Sequence, residues 1–156
     1  VYSVSSEKLH CMKNLYQLIV MNYLLKNGDA HLKNFGILYD KDFKNIQLAP
    51  AYDVVSTVVY FYKDRPALSM FGKKMWFGKK ELVKFGCLSC FLSKQEAEKF
   101  YDDCVKSLKI SIDELKNYIK THKDFEQIGQ RMIDVWTLSL DQKTYKELPD
   151  EIVRNW

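Results

Sequence analysis

Leu9, Met12, Leu15, Tyr16, Ile19, Tyr23 and Leu24 recur at the spacing of one helix face, and the pattern stops in a single step at Asn27-Gly28. This predicts a helix over about Glu7 to Lys26, with Ser5 or Ser6 as N-cap. Gly28 is expected to end it, because glycine readily takes the left-handed backbone of a helix C-cap. Residues 27–34 read NGDAHLKN, a run rich in charge and hydrogen-bonding groups set at the end of an apolar helix. A chain built this way carries either a polar turn or a reactive loop whose position a packed helix fixes.

The rest of the chain supports a mostly helical domain. FGILYD and IQLAP flank the polar turn KDFKN, so residues 35–49 read as a small hairpin. ALSMFGKKMWF reads as a second hairpin turning on Gly72-Lys73. From Lys79 onward the pattern is helical. Ser93-Lys-Gln-Glu96 and Ser111-Ile-Asp-Glu114 are both capping boxes, predicting helices that open near Lys94 and Ile112, with a longer one over about Phe125 to Leu140.

Composition excludes several classes. With 156 residues, 47% of them apolar and 14% aromatic, the chain is long and greasy enough for one globular domain. The longest apolar run, around Leu15 to Leu25, is about half of the ~20 residues a membrane span needs, and Asn22 interrupts it. Lys8 and Lys13 break up any secretory apolar segment, so a cytoplasmic protein with no membrane partner is expected. Cys87 and Cys90 have the spacing of half a zinc site, but the histidines His10, His31 and His122 supply no second pair, and buried thiols are the expected state. The net charge of +4 is concentrated in Lys73, Lys74, Lys79, Lys80 and Lys84. Arginine is scarce and no nucleic-acid motif occurs, so this run reads as a solvated face rather than a direct nucleic-acid contact.

Within NGDAHLKN, Asp29 and Asn34 form Asp-x-x-x-x-Asn, the spacing of a phosphoryl-transfer catalytic loop. Such transfer depends mainly on positioning and on neutralising phosphate charge. A carboxylate must face the incoming hydroxyl, and a neutral amide oxygen can ligate Mg²⁺ without repelling the nucleotide. The hairpin then leads to LAPAYD, whose Asp53 supplies a second oxygen ligand in the order that kinases use. Val54-Val55 follows it in place of Phe-Gly, and Ser56-Thr57 is expected to serve a local backbone hydrogen bond, with fixing of the metal loop as the second reading.

NGDAHLKN followed by LAPAYDVVST, with the later DRPALSMFGKK, resembles the C-terminal lobe of HipA-type serine/threonine kinases, the toxins of bacterial toxin–antitoxin systems. The resemblance covers residues 5 to about 140. It implies a kinase-like helical lobe whose small β-hairpins carry the catalytic and metal loops. It implies Asp29 as catalytic base, His31 and Lys33 in supporting catalytic roles, and Asn34 and Asp53 as ligands of the Mg²⁺ that accompanies ATP. The family's phosphate loop and nucleotide-pairing lysine lie upstream of the catalytic loop, where this chain has 28 residues and no such motif. The whole of 1–156 is therefore expected to be one lobe, with negligible kinase activity alone. Implied partners are the N-terminal lobe or a companion subunit, a DNA-binding antitoxin, and a protein substrate such as a tRNA synthetase. Two other readings stand beside it: a small-molecule, aminoglycoside-like phosphotransferase lobe, and a non-catalytic helical interaction module.

Overall fold

The computed structural model describes residues 1–141 and 154; the remainder of the expected 1–156 domain lies outside the described residues. Among these, the order is α1 (Lys8–Leu25), β1 (Ile37–Tyr39), β2 (Ile46–Leu48), α2 (Lys79–Ser89), α3 (Lys94–Thr121) and α4 (Glu126–Leu140). The fold is mostly helical, as expected. The strands form one antiparallel hairpin, with Ile37 opposite Leu48 and Tyr39 opposite Ile46. Helix α3 packs on α1, α2 and α4, and α1 also meets α4. Tyr16, Val20, Leu82, Tyr101, Leu108 and Val135 are fully buried at their junction. Apolar burial of this kind, at about 25 cal/mol per Å², is what holds short helices that would be marginal alone.

Several local expectations are corrected. Neither Ser5 nor Ser6 caps α1; Glu7 occupies that place and makes no side-chain cap bond. Ser6 instead ties the helix start to the hairpin: its hydroxyl donates to Lys44 C=O at 3.0 Å and accepts the Ile46 N–H at 2.9 Å. Leu9, counted on the apolar face, is exposed, while Met12, Tyr16, Val20, Tyr23 and Leu24 form the buried stripe. The Ser111 box opens no helix, because α3 runs unbroken from Lys94 to Thr121. Nothing in that span breaks a helix, so continuous packing of Cys104, Leu108 and Ile112 overrides a pattern that is only local. The Ser93 box is real: Ser93 Oγ accepts the Glu96 N–H, and Glu96 returns the bond to Ser93 N–H at 3.0 Å. Those bonds, chiefly from the Ser93 backbone and hydroxyl and then from Lys13, hold the Glu96 carboxyl down at about 2.

Lys26, not Gly28, takes the left-handed conformation that closes α1 (φ 57°, ψ 50°). Its N–H reaches Tyr23 C=O, and the Asn27 N–H reaches Asn22 C=O at 2.8 Å, the paired closure in which glycine usually stands at the Lys26 position. The predicted second hairpin is reduced to a tight turn. Met70 and Lys73 exchange both backbone hydrogen bonds at 3.0 Å around Phe71 (φ 51°) and Gly72 (φ 74°), a type I′ arrangement centred one residue earlier than expected.

Candidate active site

The 27–34 loop is held by a polar network at the end of α1. Asn27 is 2% exposed and is the hub. Its amide nitrogen donates to Asn22 Oδ1 at 2.7 Å and to Asp53 C=O at 3.3 Å, while its Oδ1 accepts the Asp29 N–H at 3.1 Å. Asp29 C=O then accepts the His31 N–H at 2.7 Å. The backbone of Asp29 is thus fixed on both sides while its residue stays exposed. That is the arrangement a base needs: a rigid main chain under a carboxylate open to an incoming hydroxyl.

Asn34 and Asp53, 19 residues apart, meet directly. Asn34 Nδ2 donates to Asp53 Oδ2 at 2.6 Å, and Asn34 Oδ1 accepts the His31 N–H at 3.0 Å. Both ends of the buried amide are therefore used, which fixes its orientation. Asp53 adopts φ 55°, a left-handed backbone that Asp tolerates better than most residues, and this turns the strand return back toward the loop. Asn34 Oδ1 keeps a second lone pair but is buried, while Asp53 is exposed, so the carboxylate is the member of the pair that faces solvent. Among the described residues no three His, Cys, Asp or Glu side chains gather into a closed metal cage. An amide oxygen beside a carboxylate suits Mg²⁺, which keeps several waters and binds through one or two protein groups. The residues fit the implied ion.

His31 and Lys33 are placed differently. His31 is half-buried; its backbone N–H joins the Asn34 contact, and its Nδ1 is buried without a hydrogen-bond partner among the described residues. Lys33 points into solvent, and its carbonyl, not its ammonium, is engaged, by the Tyr52 hydroxyl. The stretch LAPAYD thus contributes two residues to the site, Tyr52 bracing the loop and Asp53 meeting Asn34.

The structure favours the less expected of the two roles for Ser56-Thr57, that of a brace behind the loop. Thr57 opens a short helical turn over Thr57–Val59, but the Ser56 and Thr57 hydroxyls bond elsewhere. Ser56 Oγ donates to Leu25 C=O at 2.6 Å, 31 positions back, and receives the Trp136 indole N–H at 3.3 Å. Thr57 Oγ1 accepts the Gly28 N–H at 2.7 Å; its hydroxyl faces Asp64 Oδ2 and, at 3.2 Å, Lys26 C=O. A Cβ on Gly28 would lie 2.0 Å from that Asp64 oxygen, so glycine is required here for close approach rather than for a left-handed turn. Lys26 is 4% exposed, lies 5.2 Å from the Trp76 ring centre, and burial lowers its amine to about 7. The four cysteines are free; Cys11, Cys90 and Cys104 are buried, and burial pushes the Cys90 thiol up to about 12.

The lobe thus brings Asn34 of the Asp-x-x-x-x-Asn loop against the Asp53 that returns from the hairpin. The chain belongs to the HipA-like C-terminal domain family, whose model matches residues 2–139. It is 40% identical over 57 residues to "Putative kinase Y4mE" of Sinorhizobium fredii, covering 36% of this chain and 13% of that protein. It is 42% identical over 48 residues to a "Putative kinase" of Haemophilus influenzae, covering 31% of this chain and 14% of the relative. A second Sinorhizobium fredii protein, "Putative kinase Y4dM", is 38% identical over 55 residues, or 35% of this chain and 13% of its own length. The matched segments therefore span about an eighth of these relatives. No helix among the described residues is long and apolar enough to cross a membrane.

Proposed function

We infer that this chain is the catalytic-loop lobe of a HipA-type serine/threonine kinase, transferring phosphate from ATP to a protein hydroxyl. The observation that carries this reading is the Asn34–Asp53 contact, made beside a loop whose Asp29 backbone is fixed and whose carboxylate is open. Asp29 takes up the proton of the attacking hydroxyl. Asn34 Oδ1 and the Asp53 carboxylate would hold Mg²⁺, which would supply neutralisation of charge on the phosphate oxygens. Tyr52, Asn27 and Thr57 keep these groups in register from behind.

An upstream lobe completes the nucleotide site. Support for such a partner lies in the apolar surface around the hairpin and the Asp53 loop, where Tyr39 is 60% and Phe61 72% exposed, with Leu38 and Val55 open beside them. The toxin role, the DNA-binding antitoxin, the tRNA synthetase substrate and a cytoplasmic site of action belong to the same proposal. It rests on family membership and on this geometry.

The test is a phosphotransfer assay with the longer parent protein, offering protein hydroxyls and aminoglycosides side by side. Protein phosphorylation that falls roughly 10²-fold or more in Asp29→Asn is expected. Preferential aminoglycoside phosphorylation would transfer the reading to a small-molecule phosphotransferase, and full activity in Asp29→Asn would refute the assigned base. The 156-residue chain alone is expected to be inert; ordinary kinase rates from it would refute the need for a second lobe.

A further inference from the structure

Beside the candidate base lies a cavity that the phosphotransfer parts do not use. Its volume is about 120 Å³, and its walls come from Ile19 and Tyr23 of α1, from Ala30 and Phe35 of the loop region, and from Ala67 and Met70 of the segment before the tight turn. Its polar lining is largely consumed internally, since the Asn27 and Asn22 amides bond each other. Ala30, Phe35, Ala67 and Leu68 are half-buried and Ser69 is exposed, so the space communicates with solvent. Ala30 directly follows Asp29 in the chain. A dry cavity of about 150 Å³ accepts benzene, so this one is sized for a single leucine-like or phenyl side chain.

Exposed lysines lie near the cavity, in a stretch with Asp64 and Glu81 at its ends. From Arg65 to Lys80 the chain has five basic residues and no acidic one. Lys79 is neutralised by Asp102 at 2.6 Å, but Lys73 and Lys74 on the turn and Lys80 and Lys84 on α2 are exposed. Lys84 Nζ stands 5.3 Å from the Phe71 ring centre, and Phe71 packs edge-on against Phe85, itself a wall of the cavity. Lys84 thus adjoins the cavity wall, and Lys73 follows Phe71 and Gly72 on the same turn.

We propose that this surface is a substrate-docking site for an acidic polypeptide segment: an apolar side chain enters the cavity, and flanking carboxylates meet Lys73, Lys74, Lys80 and Lys84. The inference rests on the kinase reading and names its substrate class. Residues of an extended peptide are about 3.4 Å apart, so a side chain seated against Ala30 belongs to a residue close in sequence to the hydroxyl facing Asp29. An apolar socket favours a polypeptide over a nucleic acid, which would need the positive charge but not the cavity.

The test uses amide NMR of the 156-residue chain with a short Asp- and Glu-rich peptide carrying one leucine near a serine. Shifts at Ala30, 67–70 and Phe85 are expected, weakening as salt is added. Replacing the peptide leucine by alanine should weaken binding roughly tenfold or more. The Lys73→Glu/Lys74→Glu double variant, on an exposed turn, should weaken it and flatten the salt dependence, while Ala67→Leu should block the cavity. Equal binding of leucine and alanine peptides, no binding, or tighter binding of a single-stranded oligonucleotide would overturn the proposal. Titrating Mg²⁺ and ATP on the same samples separates the two readings. Nucleotide-dependent shifts at Asp53 without peptide binding would sink the docking site alone; peptide binding without them, even with the upstream half of the parent protein added, would sink the kinase reading alone.

Discussion

Replacing Thr57 by valine removes one hydroxyl at nearly constant shape, and the structure sets the size of the effect. The Gly28 N–H, in a buried residue, loses its 2.7 Å acceptor, and Asp64 loses a donor to its carboxylate. An unsatisfied buried amide costs about 1–3 kcal/mol; Asp64 is partly open and recovers water, so the total is roughly 2 kcal/mol. For a chain of this size that lowers Tm by about 4–8 °C. Because the bond anchors the peptide next to Asp29, the loss is also local. Native-state hydrogen exchange at the Gly28 amide should accelerate roughly 30-fold, the factor that 2 kcal/mol represents. Thr57→Ser keeps the hydroxyl and should lie within about 1 kcal/mol of the parent. Thermal unfolding by circular dichroism and exchange by NMR read the two effects. A valine variant as stable and as protected as the parent, or a serine variant as damaged as the valine, would refute the brace.

Other outcomes are expected at single sites. Ser93→Ala should cost roughly 1 kcal/mol in urea unfolding, whereas Ser111→Ala, in the exposed interior of α3, should be neutral or slightly stabilising. Equal losses would mean that α3 is broken at Ser111. Lys26, lowered by burial from 10.5 to about 7, binds fewer protons folded than unfolded between those values, so its contribution makes stability rise with pH above 7, by at most about 1.4 kcal/mol per unit. Comparing the parent with Lys26→Met at pH 7 and 9 isolates that slope, and identical slopes would contradict it. Tyr16 donates from a fully buried ring to Ala97 C=O at 3.1 Å, so Tyr16→Phe should lose about 1 kcal/mol in the same assay; an unchanged midpoint would show that the bond contributes nothing net.

The sequence made legible whatever a short window encodes. The apolar stripe of α1, the Ser93 cap and the 35–49 hairpin each depend on neighbours a few residues apart. The meeting of Asn34 with Asp53 was legible because residue type, spacing and order single out both positions. The same locality misled at Ser111, where a capping box sits inside a helix that packing keeps continuous. It misled again at the end of α1. Gly28 looked like the cap, but it is needed against Asp64, and the left-handed position falls to Lys26. The partners of the Ser56-Thr57 brace were not legible, since Thr57 meets Gly28 across 29 positions and Ser56 meets Leu25 across 31. No periodicity reports contacts of that range.

The most direct test of the central claim is an amide NMR titration of the chain with Mg²⁺ and ATP at millimolar concentration, run beside Asp53→Asn and repeated with the upstream half of the parent protein added. Metal-dependent shifts confined to 29–34 and 50–55, and lost in Asp53→Asn, are the predicted result. Shifts that survive the substitution, or none even with the upstream half present, would show that Asn34 and Asp53 hold no nucleotide-bound metal.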